Sequence, residues 1–183
     1  MRANSHCEST FFHPPLRPVP ISHVVLFSSD AAGERALGKT EEVLSEFPGI
    51  RVLAVTVDGG TKAGRAASGA TPLSPGGLPT RFIGIYASSR VNDLADFMRL
   101  VAPNPLIFVP VAESPDAGLR LLKEAAMCGA PTVALGEAGA RNAALLAISM
   151  WAAGSGADKL RKPLDAFRAR QTAAVRKMKL PAM

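Results

Sequence analysis

At 183 residues, with 48% hydrophobic and 20% charged residues, the chain is long enough for one domain with a buried core and too apolar for wholesale disorder. No apolar run reaches the roughly 18 residues a spanning helix needs; the richest, Ala143 to Ala153, has the length of a core helix, which argues against an integral membrane protein. The net charge of +6 is local, because residues 158–179 hold eight Lys or Arg against two Asp and the remainder balances to zero. One basic segment points to a solvated helix face or an acidic protein partner ahead of nucleic acid, which favours a broadly basic surface.

Taken in chain order, residues 1–21 carry Pro14, Pro15, Pro18 and Pro20 with no apolar period and are expected to form an extended arm. Phe11, Phe12 and Leu16 are its apolar anchors, and its prolines withhold the N–H groups a packed strand needs, so the arm is expected to be held by another polypeptide. From His23 onward, short β-branched or apolar runs alternate with helical stretches. The runs 23–27, 51–57, 82–86, 106–111 and 132–135 have the composition of buried parallel strands. Helices are expected over 34–47, more weakly over 62–68, then over 92–101, 116–127 and 140–153. Pro48 with Gly49, Pro103 with Pro105, and Gly129 with Pro131 mark three of the stops. Residues 70–80 read as a loop.

After Gly154 and Gly156 a last helix is expected to about Met178, with Leu160, Leu164, Phe167, Val175 and Met178 along one side and basic residues elsewhere. Five strands with crossover helices imply an α/β fold, a three-layer doubly wound (flavodoxin-like) five-stranded parallel sheet. It spans 22–157, and a basic C-terminal helix and tail follow over 158–183.

Cys7 and Cys128 have neither metal-ligand spacing nor a disulfide framework, so no metal is expected and a reducing compartment is favoured. No Walker, Rossmann or zinc pattern is present, and no cofactor is expected. Cys128 reads as buried filler, Trp151 as packing and the Ser88-Ser89 pair as loop. The three histidines, His6, His13 and His23, lie in the arm and at the start of the first expected strand.

Residues 131–153, PTVALGEAGARNAALLAISMWAA, resemble the penultimate element of the PurE family, the aminoimidazole ribonucleotide carboxylases and carboxyaminoimidazole ribonucleotide mutases of purine biosynthesis. In that family a strand ends in a Gly-Ala-Gly turn and an Asn-Ala-Ala-Leu-Leu-Ala helix. Residues 105–111, PLIFVPV, are similar to its Pro-Val-x-Gly-Val-Pro-Val strand, and residues 160–175, LRKPLDAFRARQTAAV, to its closing helix. The resemblance covers about 22–178 and is strongest after Pro105.

The resemblance implies ligand-binding chemistry in three loops at the carboxyl ends of the strands, the usual place in doubly wound sheets. The family's Gly-Ser-x-Ser-Asp loop is replaced by FSSDAAGE, which keeps Ser28, Ser29 and Asp30 in another register. Its Ser-Ala-His-Arg loop becomes Thr56, Val57, Asp58 and Gly59, reversing the local charge. Its Gly-Gly-Ala-Ala-His-Leu-Pro-Gly loop becomes a stretch from Ser89 to Leu94 in which Asp93 falls on the histidine. Acid-base work near neutral pH wants an imidazole, and carboxylates there would repel a phosphorylated, carboxylated substrate. Gly136, Gly139, Arg141 and Asn142 keep a helix start that the resemblance associates with ligand binding, although a tight strand-to-helix connection needs the same glycines.

No catalytic residue is expected. Ser28, Ser29, Asp30, Asp58, Ser89, Asp93, Gly136, Gly139, Arg141 and Asn142 form a vestigial ligand-binding set. The chain reads as a PurE-like pseudoenzyme serving as a structural or interaction subunit of a larger protein complex, with self-association through the C-terminal helix, since the closing helix of PurE proteins reaches a neighbouring subunit. An organellar, mitochondrial location is favoured over the cytoplasm, although residues 1–20 make a poor transit peptide. The alternatives are an active carboxylase or mutase with altered chemistry and a nucleotide-binding sensor working at residues 136–142.

Overall fold

The structure is a computed structural model that describes residues 22–57, 65–66, 77–92, 94–132, 134–154 and 158–178. The arm at 1–21, Asp58 and Asp93 lie outside the described residues. Strands β1 (Ser22–Ser28), β2 (Ile50–Thr56), β3 (Arg65–Ala66), β4 (Ile83–Ser88) and β5 (Leu106–Pro110) form one sheet in the order β3-β2-β1-β4-β5. Helices α1 (Ala31–Leu44), α2 (Leu94–Val101), α3 (Pro115–Met127), α4 (Gly136–Ala152) and α5 (Asp158–Lys177) complete the fold.

Parallel β1, β4 and β5 read as continuous apolar runs because helices cover both faces of the sheet there, whereas Arg51 to Ala54 of the outer strand β2 are exposed. The two-residue side-chain period sorts them. Val24, Leu26, Ile83, Ile85, Ile107 and Val109 pack under α1, α4 and the first half of α5, whereas Val25, Phe27, Tyr86, Leu106 and Phe108 pack under α2 and Ala125 of α3. Thr40 of α1 is fully buried and donates to the Ala140 carbonyl at 3.1 Å, fastening α1 to α4. Leu160, Leu164 and Phe167 join the same core from α5, while every described residue from Arg168 to Met178 is exposed. No helix among the described residues is long and apolar enough to cross a membrane.

The expectation of five parallel strands is corrected in two places. The run 132–135 contributes one parallel bridge, Thr132 to Phe108, and no strand at its described residues. Helix α4 begins at Gly136 rather than Ala140, and its first turn folds back so closely that a Cβ on Gly139 would lie 2.2 Å from the Ala134 carbonyl oxygen. Pro131, which has no N–H, bounds the other side, so too little chain is left to extend the ladder. The weak helix expected over 62–68 is not a helix at its described residues, since Arg65 and Ala66 form β3, antiparallel to Thr56 and Val55. They cap the outer edge of β2, where the unpaired backbone groups of a sheet edge need a partner.

Candidate functional site

β1 and β4 are adjacent and in register, with Ser28 opposite Ala87, so their two Ser-Ser endings emerge side by side. Asp30 sits between them as the N-cap of α1, in extended conformation, with its Oδ1 accepting from the Gly33 amide at 2.7 Å. Its Oδ2 accepts from the Ser89 amide at 2.9 Å and from the Ser88 and Ser89 hydroxyls, both at 3.0 Å. Gly33 is required for this approach, because a Cβ there would stand 2.1 Å from the Ala87 carbonyl oxygen.

The hydroxyls behind Asp30 have a defined direction. Ser88, fully buried, gives its single proton to Asp30, so in the 2.8 Å contact between Ser29 and Ser88 the donor is Ser29. Tyr86 donates to Ser29 at 3.0 Å, which completes a chain from Tyr86 through Ser29 and Ser88 to Asp30. The Arg90 amide donates to the Ser88 hydroxyl at 3.0 Å, and the Arg90 guanidinium closes the cluster on the Ser29 carbonyl at 3.2 Å. Burial alone raises the Asp30 pKa. The bonds from the Gly33 and Ser89 amides and the Ser89 and Ser88 hydroxyls outweigh it and hold the carboxyl below its ordinary value.

A carboxylate that is ionised and surrounded by committed donors is a weak proton acceptor and an unfavourable neighbour for an anion. His23, the one histidine among the described residues, lies at the amino end of β1, beside Leu53 and Arg81 in a shallow depression at the opposite end of the sheet. Among the described residues no cluster of His, Cys, Asp or Glu is arranged to hold a metal ion.

Of the set expected from sequence, Ser29, Asp30 and Ser89 are brought together. Ser28 belongs to the other side of the strand end, lining a groove between α1 and β2. Gly136 and Gly139 form the first turn of α4, with Gly136 at a positive φ of 58°. Arg141 turns toward Glu42 of α1, 3.9 Å away, and Asn142 is exposed on α4; no hydrogen bond joins either to the Asp30 cluster among the described residues. Cys128 is half-buried and caps α3. Trp151 packs against the core, with its indole N–H buried and unpaired among the described residues. Tyr86, Ser88 and Arg90 were missed as members of the cluster. The signal available was that two expected strands end in the same Ser-Ser dipeptide.

A serine-to-aspartate variant of PurE2 from Treponema denticola superposes with a TM-score of 0.64 and 18% identity, over 84% of this chain and 93% of that one. PurE from Treponema denticola gives a TM-score of 0.62 and 16% identity, over 84% of this chain and 94% of that one. The fold is PurE-like. No protein-family model and no curated protein sequence matches the chain. The likeness to PurE thus lies in the path of the backbone, and the side chains at the strand ends of the PurE-like fold must be read on their own chemistry.

Proposed function

We propose that this chain is a non-catalytic protein of PurE-like fold that serves as a structural or interaction subunit of a larger assembly. One observation carries the reading. The polar groups at the carboxyl ends of β1 and β4 are spent on one another, and their centre is the ionised Asp30. A ribonucleotide phosphate entering there meets negative charge and committed hydroxyls, so the cluster ties two loops together instead of binding substrate. With no histidine after His23, a proton carrier of suitable pKa is also lacking in the second half of the sequence.

The test is turnover. Purified full-length protein is expected to leave aminoimidazole ribonucleotide with bicarbonate, and carboxyaminoimidazole ribonucleotide, unchanged beyond the uncatalysed rate. Turnover that Asp93→Ala abolishes would overturn the reading.

The solvent-facing end of α5, with Arg176 and Lys177 and with Val175 and Met178 62% and 71% exposed, supports an assembly role through that helix, including self-association. The arm at 1–21 is the second proposed attachment, to a different polypeptide. An organellar, mitochondrial location completes the proposal, and recovery of the chain solely from the cytosolic fraction of its cells would remove that part.

A further inference from the structure

The outer edge of β2 is paired with β3 at Val55 and Thr56 alone among the described residues. Below that point Val52 and Leu53, which point to opposite faces of the sheet, are 37% and 40% exposed. The Val57 amide donates inward to the Ser28 carbonyl at 2.6 Å, and alternate residues of a strand bond to opposite sides. The backbone N–H and C=O groups of Ala54 and Val52 therefore point outward, where β3 does not reach them. An apolar edge with open backbone groups is a template for one more strand. Little on β2 guards against that, since Arg51 is its only charged residue and it contains no proline.

The sequence holds a segment suited to that edge. In residues 16–21, LRPVPI, Pro18 and Pro20 stand two apart, so the N–H groups of Arg17, Val19 and Ile21 would share one edge of an extended chain. The other edge is stripped of donors at the two prolines, which suits a strand that pairs on one side and passes no ladder on. Residues 17–21 would span roughly 17 Å, the length of the open stretch 50–54. Their own β2 is out of reach. Ile21 is followed at once by Ser22, the first residue of β1, and the outer edge of β2 lies two strand spacings, about 10 Å, away with no turn residues to cross them. We propose that residues 17–21 add as a strand to the outer edge of β2 in a second copy of the chain. Val19 and Ile21 then extend one apolar face of β2, and Pro18 and Pro20 the other. A second copy is a separate polypeptide, so the inference rests on the proposed attachment of the arm and names what holds it.

Amide hydrogen exchange of the purified full-length chain, followed by NMR, tests this at Val52 and Ala54. Exchange at both is expected to slow as the protein concentration rises, because docking of a second copy is driven by mass action. Val19→Pro removes the central donor of the pairing edge and should weaken the association on the order of tenfold, read as lost protection at a given concentration. Pro18→Ala, on the other edge, should leave the protection unchanged. Both substitutions lie before β1 and leave the residues of the sheet and core as they are. Protection that is independent of concentration and survives Val19→Pro would assign the edge to the chain's own residues 67–71, which follow β3, and would overturn the proposal. Rapid exchange at every concentration overturns it too, leaving another protein as the holder of the arm, and so does concentration-dependent protection that Val19→Pro leaves intact. None of these outcomes bears on the turnover assay or on the contacts of α5, so failure here is distinguishable from failure of the non-catalytic reading.

Discussion

Asp30 is one side chain with three jobs: it caps α1, holds the Ser89 amide and orients the Ser88 hydroxyl. Removing a cap alone costs about 0.5–2 kcal/mol, and stranding buried Ser88 adds to that, so Asp30→Ala is expected to destabilise the protein by about 2–3 kcal/mol in urea unfolding. The charge also sets a pH dependence. Because the folded-state pKa of Asp30 lies below its ordinary value, its ionisation stabilises the fold above the unfolded pKa, near 3.8, and that contribution is lost as pH falls through the folded value. The stability gap between the natural protein and Asp30→Asn should be constant from pH 7 to about 5 and close below about pH 4. A gap that persists undiminished at pH 2 would mean that the carboxylate charge plays no part. The sequence offered the residue types here, but the strand ends that bring them together lie 57 to 59 residues apart in the chain.

At the scale of elements, two helices are drawn against strand ends so tightly that only glycine fits. Gly33 of α1 faces the Ala87 carbonyl and Gly139 of α4 the Ala134 carbonyl. Alanine is ordinarily the better helix former, by roughly 0.5–1 kcal/mol. At these two positions the sign should reverse, with Gly33→Ala and Gly139→Ala each destabilising by about 1–3 kcal/mol through forced displacement of backbone. Equilibrium denaturation of both variants beside Gly38→Ala, which has open space, separates steric from intrinsic effects. Gly139 is legible as a residue of a strand-to-helix connection, but sequence shows the need for glycine without showing whether a ligand or a neighbouring backbone makes the demand. Arg141 carried the same ambiguity, and a glutamate on α1 ended it.

For the whole molecule, α5 divides at Phe167. Up to there its apolar stripe belongs to the main core, where Phe167 packs against Phe47 with ring centroids 5.8 Å apart, and beyond it the residues are exposed, with Arg168 and Arg170 reaching back to Ser149 and Glu46. Phe167→Ala should cost about 3–5 kcal/mol. Deleting residues 171–183 should change Tm little, since it removes exposed side chains, while size-exclusion and pull-down measurements should register the loss of the proposed assembly contacts. A truncated chain that assembles like the full one would exclude α5 as the attachment. By itself the sequence determined the alternation of strand and helix, the layered parallel sheet, the apolar stripe of α5 and the lack of histidines beyond His23, because side-chain period and composition act locally along the chain. Only the tertiary structure decided that residues 132–135 give a single bridge, that Ser29 joins the Asp30 cluster while Ser28 faces a groove, and that the Asp30 carboxylate is fully engaged. Those outcomes depend on which strands lie side by side and how closely helices approach them, and hydrogen bonds between such distant residues leave no period in the sequence.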